Sequence, residues 1–482
     1  MQTIDFIVFA VFTLGVVFFG CSFFRKDGSA DEFASAGRSL PGWVVGMSIF
    51  ATYVSSISYI GYPGKAFAAD WNAFVFSLSI PVAAYFAARY FVPFYRYGGS
   101  VSAYAFLEDK FGRWARLYAS ACYLLTQIAR MGSILYLLAM PMHILMGWDM
   151  VAVIVCTSVL VVVYSMMGGL KAVIWADAIQ GFILIGGALL CLAILLFSLP
   201  EGPLQLFQIA AEAPEGNKFS LGSLGTSLTE STFWVCLVYG IFINLQNYGI
   251  DQNYVQRYHT AKSLRAARFS VLFGGYLFIP VSALFFLIGT ALYAYYAAGV
   301  APLPTAIADH PDYVFPYFIV SSLPVGLRGL LIASIFAAGM STLSTSVTSA
   351  ATVILTDYVQ RGGIVTLRVS SVVVGILGAL TAIAMLGVKS IVDAWWILSS
   401  IFSGGMLGLF LLGIMPRSVG RGAALAGCLA GIAVIAWISL ASQFSPHTPH
   451  LHQYLAIVLG TTTIFCIGFF AALLTKHKSS LQ

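Results

Sequence analysis

Apolar stretches of about 20 residues recur from one end of this chain to the other, and they decide what it can fold into. A helix rises about 1.5 Å per residue, so each such stretch is long enough to cross the hydrocarbon of a bilayer. Thirteen are readable, at approximately 4–23, 41–67, 72–95, 115–146, 150–167, 173–198, 230–256, 266–297, 324–356, 365–387, 390–415, 422–443 and 452–475. Within hydrocarbon every backbone N–H and C=O needs a partner in the chain, which a helix supplies from its own segment. The fold class expected is therefore an all-α membrane protein of about thirteen transmembrane helices, with 1–482 forming a single integral domain. Only 9% of residues are charged and 60% are hydrophobic, which excludes a soluble globular domain. The first stretch lacks a basic leader and a small-residue cleavage site, and is read as a retained span.

The formal net charge of +6 is not a nucleic-acid signature, because the basic residues alternate from loop to loop. Of 24 Lys and Arg, 19 fall in or beside the connections after odd-numbered spans and in the C-terminal tail; 257–268, Arg417 and Lys476 are among them. The other connections hold Lys65, Lys218, Arg328 and Lys389. The positive-inside rule then puts the N-terminus outside and the C-terminus in the cytoplasm, and an odd number of spans agrees. The seven cysteines lie in or at the edge of apolar segments without paired spacing. They read as small buried hydrophobes, neither a disulfide framework nor a zinc site. The histidines of the 442–452 loop, His447 included, read as solvated. No phosphate-binding loop with its lysine is present, so ATP does not drive any transport within this polypeptide.

Two spans are interrupted by polar residues: the second at 50–61 and the seventh at 244–252. With the first span set aside, spans two to six (41–198) and seven to eleven (230–415) form two groups of five that enter the membrane from opposite sides, followed by two trailing helices (422–475). This is the pattern of a five-plus-five inverted repeat whose discontinuous first helices build a site at the bilayer midplane. Gly61 and Gly249 mark the expected unwinding. The connections 200–230 and 298–324 are long enough for a short helix or a lid.

Within the spans, polar chemistry is concentrated at few places. Arg130 sits deep in span four, where a guanidinium is costly. It shares a helical face with Gln127 and Ser133. Its planar fork suits a carboxylate, so it reads as a clamp for an acidic solute; the alternative is a structural ion pair with Asp177. Asp177, near the start of span six, reads as a cation ligand, a proton site or an interfacial helix-start acid. Asp251 and Gln252, leading to Gln256 and Arg257, read either as an inner network or as a solvated helix end. Asp393, beside Trp395 and Trp396, reads as a helix-start acid in an aromatic belt. In span nine, five of the six residues 341–346 carry hydroxyls, hard acceptors that suit a small hard cation. Such a run also packs helices closely or bonds back to its own carbonyls.

At these residues the chain resembles the sodium:solute symporters over nearly its whole length, and within them the bacterial sodium-coupled sialic acid symporters. The resemblance is carried by 50–58, by Lys65, Ala66 and Phe67 with Asp70 and Trp71, by Arg130, by Gly168 and Gly169 with 173–175 and Asp177, by Asp251 and Gln252 with 256–258, and by 338–346. It implies a leucine-transporter-type fold and a main sodium site built from the carbonyls of Ala51, Val54 and Ala338 and the hydroxyls of Ser341 and Thr342. It implies a second sodium site from Asp177, Ser341, Ser344 and Thr345. The sugar carboxylate would be held by Arg130 with Ser55, Ser56 and Ser58. Two departures stand out: Tyr53 replaces an expected threonine, and Ser77 an expected glutamine. Together with Gln127, Asn244 and Asn247 they complete the expected solute contacts.

The function expected is a sodium-coupled secondary symporter that imports a carboxylated sugar, sialic acid first, by alternating access. Sodium ions are the only cofactor expected. The expected partners are the carboxylated solute and the lipid bilayer, with no nucleic acid; the chain is expected to be a monomer in the bacterial plasma membrane. A symporter for another sugar, a monocarboxylate or an amino acid is the alternative, and a channel a weaker one. No His/Asp/Glu catalytic set lies at membrane depth, so an enzyme is not expected.

Overall fold

The computed structural model describes residues 3–23, 30–388, 391–415, 419–444 and 450–479. Lys389, Arg417 and His447, named above for charge and loop chemistry, lie outside them. Among the described residues there is no strand; ten helices are long and apolar enough to cross a bilayer, and two sharply bent helix pairs each make one more span. One of the ten, Met150–Phe197, has 48 residues, about 70 Å of helix and twice what a bilayer needs. Gly169 divides it with φ 60° and ψ −166°, a conformation that costs little only without a Cβ. Its two arms are the expected spans five and six, so all thirteen spans are found.

Local sequence sets several helix starts. Asp149, Thr232 and Ser263 accept the N–H of Ala152, Val235 and Ala266 at the heads of spans five, seven and eight, satisfying first-turn donors that have no acceptor within their own helix. Span nine, beginning at Leu327, borrows its cap from another element. Asp5 of span one accepts the N–H of Gly326 at 2.6 Å and of Gly329 at 3.4 Å.

Span nine is the centre of the molecule. Of its most apolar window 94% is buried, against 33% for span one, which lies at the periphery. Small residues permit this crowding. A Cβ on Gly339 would sit 2.5 Å from Leu138 of span four, and one on Gly187 of span six would sit 2.2 Å from Ser334.

Both expected discontinuities occur, but not at the glycines. Span two stops at Tyr53, passes through an extended Val54 (φ −78°, ψ 111°), and resumes as Ile57–Ala68 at 56° to its first half. Span seven, Phe233–Ile250, stops at an extended Asp251 (φ −75°, ψ 125°) and resumes as Gln252–Thr260. Gly61 and Gly249 are helical, and each is small because a neighbour lies against it: Val392 against the first, Phe91 against the second. Span eleven is bent too, by 41° between Ile391–Ser403 and Met406–Ile414. The connections 200–230 and 298–324 carry the short helices Gln205–Ala211, Thr305–Ala308 and Pro311–Ser322. The first of these connections folds onto the end of span two, where Lys218 donates to the Phe67 carbonyl and Trp71 N–H to that of Ser220. All seven cysteines are free thiols.

Span eight meets the second half of span two at Gly289, where a Cβ would stand 2.2 Å from the Pro63 carbonyl oxygen. Backbone cannot swing aside as a side chain does. Gly289→Val is therefore expected to cost about 1–3 kcal/mol or more. An unchanged thermal unfolding midpoint of the purified protein would refute this packing.

Candidate solute and ion site

The break in span two borders a cavity between spans two, three, four, seven and eleven. Of the expected solute residues, Tyr53, Ser55, Ser58, Gln127, Arg130 and Asn247 line it. Trp395 and Trp396 of span eleven, read from sequence as an aromatic belt, form part of its wall with Tyr254 and Ser399. Arg130 extends across this space. Its Nη2 donates to the Thr52 carbonyl at 2.7 Å, and its Cζ lies 6.0 Å from the Trp395 ring centroid. Among the described residues no carboxylate lies within ion-pair distance of it. The alternative pairing with Asp177 is corrected by the structure, which gives Asp177 to Arg257.

The other expected solute residues turn elsewhere. Ser56 donates to the Ile134 carbonyl at 3.2 Å, and the Ser77 and Ser282 hydroxyls meet at 2.7 Å. Asn244 donates to Ser79 at 2.8 Å. Each is buried in a helix contact, and none lines the cavity. Residues 55–58 lie at the break, and chain direction changes within them; Ser55, Ile57 and Ser58 therefore line the cavity while Ser56 faces span four. Gln127 borders the cavity, but its amide already holds Asp251, Asn253 and Ser346. Asn247 donates to the Tyr53 hydroxyl at 3.3 Å, so the tyrosine that departs from the family pattern is tied into the wall.

The end of the first half of span two is where the cavity meets the hydroxyl run of span nine. The Thr52 carbonyl, whose helical partner is lost at the break, accepts Arg130 from one side and the Thr342 hydroxyl at 3.2 Å from the other. Thr342 also donates to the Ala338 carbonyl at 3.3 Å. The Thr52 and Thr345 hydroxyls lie 3.2 Å apart. Ala51, Val54, Ala338, Ser341 and Thr342 are all buried in this region.

Behind that contact lies a buried charge network. Asp177 Oδ1 accepts the Ser341 hydroxyl at 2.7 Å. Its Oδ2 accepts Ser48 at 2.5 Å and Arg257 Nη2 at 2.8 Å. Arg257 also donates to Ser48, to the Asn253 carbonyl and, at 2.5 Å, to the Thr345 hydroxyl. Ser344 donates to the Ser341 carbonyl of its own helix. Neither charged side chain is exposed to solvent. Sequence reading put Arg257 in a basic loop; it is instead on the second half of span seven, all nine residues of which are buried. Ser48 and Thr52 were missed as well. Their i, i+4 spacing on one face of span two was the available signal.

The long-loop end of the cavity is tied by Lys65 and Asp393, 2.7 Å apart, which join span two to span eleven. Both side chains are about a third exposed, so screening limits the pair to about 1 kcal/mol or less. Nearby, Asp312 accepts the Ile391 N–H at 3.2 Å; burial pushes its carboxyl up to about 6.

Comparison with known proteins places this geometry. The sequence model of the sodium:solute symporter family matches residues 33–431. Sodium/sialic acid symporter NanT of Aliivibrio fischeri is 30% identical over 99% of this chain and 94% of its own length. Sodium/sialic acid symporter SiaT of Proteus mirabilis is 31% identical over 99% and 97%. Sodium-coupled monocarboxylate transporter 2 of Bos taurus is 28% identical over 92% and 73%. Among solved structures, a substrate-bound, outward-open Na+-coupled sialic acid symporter superposes with a TM-score of 0.89 at 29% identity over 98% of both chains. The nucleobase-cation-symport-1 transporter Mhp1 superposes with 0.62 at 13% identity over 95% and 96%, a likeness of fold alone. The chain is an integral membrane transporter with the five-plus-five fold, not an enzyme, and it belongs to the sodium:solute symporter family.

Proposed function

We infer that this protein imports sialic acid, or a sugar acid of the same kind, together with sodium. The observation that carries the reading is the single carbonyl of Thr52, which holds the cavity-facing Arg130 on one side and Thr342 of the hydroxyl run on the other. In this reading Arg130 is the carboxylate clamp, since it has a cavity before it and no carboxylate within ion-pair distance among the described residues, Asp251 on the same cavity included, and Ser55 and Ser58 supply hydroxyls beside it. Tyr53, Asn247 and the indoles of Trp395 and Trp396 shape the space for the rest of the sugar. Ala51, Val54 and Ala338 offer carbonyls, and Ser341 and Thr342 hydroxyls, to the main sodium ion. Asp177, Ser344 and Thr345, with Ser341, hold a second. Sodium bound between spans two and nine fixes the end of the broken helix, and with it the acceptor on which Arg130 rests. Solute and ion then favour each other's binding by the same factor.

The repeat boundaries 41–198 and 230–415 and a monomeric state belong to the same reading. So does the orientation, with the long-loop face and N-terminus outside a bacterial plasma membrane and the basic face and C-terminus inside. It rests on the alternation of Lys and Arg between loops. Import then begins at the long-loop face, where the Lys65–Asp393 pair ties spans two and eleven.

A thermal-shift screen of carboxylated sugars, in sodium against potassium, tests the substrate pair. Stabilisation is expected with sialic acid only when sodium is present; an equal shift in potassium would overturn sodium coupling. Arg130→Ala is expected to lower sialic acid affinity by at least tenfold, through loss of charge-assisted bonds worth about 1.5–3 kcal/mol, while sodium still stabilises the protein. Acid uptake at the native rate would remove Arg130 from the clamp. Thr342→Ala is expected to raise the sodium concentration for half-maximal uptake several-fold and to weaken solute binding in parallel. Normal uptake at low sodium would exclude it as a ligand.

A further inference from the structure

Two of the groups proposed to hold the second sodium ion, Asp177 and Thr345, also hold Arg257. Its Nη2 touches Asp177 at 2.8 Å and Thr345 at 2.5 Å, and Asp177 carries the Ser341 hydroxyl on its other oxygen. We propose that Arg257 is a tethered competitor for sodium: its guanidinium is the resident counter-ion of Asp177, and the second sodium ion binds by displacing it. This rests on the assignment of Asp177 to a sodium site.

The argument is electrostatic. A carboxylate with no solvent contact needs a cation, and one cation neutralises it. A second cation added beside the first would meet repulsion that water does not screen at this depth. Asp177 also has little acceptor capacity to spare, since Oδ2 takes both Ser48 and Arg257. Sodium and guanidinium are therefore expected to exclude each other, and the site's sodium affinity is set by how firmly Arg257 is held. Its other bonds, to Ser48 and to the Asn253 carbonyl, do that holding.

The position of Arg257 gives the exchange a consequence. It lies on Gln252–Thr260, the helix that continues span seven toward the basic face after the break at Asp251. That helix is wholly buried and is tied to span two through Ser48, to span six through Asp177 and to span nine through Thr345. Losing Arg257 from Asp177 removes the charged contact of this set. Sodium arrival at Asp177 thus loosens the hold of spans two, six and nine on Gln252–Thr260.

Equilibrium binding of radioactive sodium to the purified full-length protein, without solute, tests the exchange directly. Arg257→Gln is expected to tighten the second sodium site, at Asp177, by about tenfold or more and to enlarge the melting shift between sodium and potassium. Arg257→Lys keeps a cation and is expected to stay near the native affinity. Asp177→Asn is expected to lose one sodium ion. If Asp177→Asn binds as many sodium ions as the native protein, the second-site assignment itself falls. If Asp177→Asn loses one but Arg257→Gln leaves sodium affinity unchanged or weaker, the assignment stands and the competition falls. Should Arg257→Gln fail to fold, hydrogen exchange of the native protein decides. Amides of 252–260 are expected to exchange faster as sodium saturates, and unchanged or slower exchange overturns the proposal.

Discussion

One carbonyl without a helical partner organises the centre of this transporter. A helix that ends at membrane depth leaves backbone acceptors with no water to turn to, and such an end persists only where other groups reach it. At the break in span two the Thr52 carbonyl is met by Arg130 of span four and Thr342 of span nine. Three elements that are distant in sequence converge on one oxygen. The cavity lies on the Arg130 side and the hydroxyl run on the other, so the unwound segment is both the wall of the proposed solute site and the floor of the proposed ion site.

The two arginines at membrane depth have opposite surroundings. Arg257 is fully enclosed, with four oxygen acceptors, one of them a carboxylate. Arg130 is only partly enclosed, with a backbone acceptor, an indole face and open space. A buried guanidinium that is neutralised by a neighbour has no electrostatic need of a ligand, whereas one that faces a cavity does. That contrast separates a residue for solute, which the sequence already placed inside a span, from a residue for the internal network, which the sequence placed at the start of a basic loop.

Gln127 shows why a polar residue beside a cavity is not thereby a solute contact. Its carbonyl oxygen accepts from Asn253 and Ser346 and its nitrogen donates to Asp251. With both ends of the amide engaged, it joins span four to the second half of span seven and to span nine. Ser77 and Asn244 are comparable. The Ser77 hydroxyl is met by Ser282 of span eight and the Asn244 amide nitrogen by Ser79 of span three, both away from the cavity.

The sequence by itself determined the thirteen spans, their alternation of charged loops, the two interrupted helices and the residues able to carry chemistry: Arg130, Asp177 and the hydroxyl run of span nine. Each follows from local composition, since an apolar run long enough to span has no other stable solution in a bilayer. The family pattern added which of those residues to consider together. Only the tertiary structure decided that Asp177 belongs with Arg257, that Ser55 and Ser58 face the cavity while Ser56 does not, and that the breaks fall at Val54 and Asp251 while Gly61 and Gly249 stay helical. The reason is physical. Pairing and facing depend on how a kinked helix is rotated against neighbours up to 328 residues away, as for Lys65 and Asp393, and periodicity along one helix carries no information about that rotation.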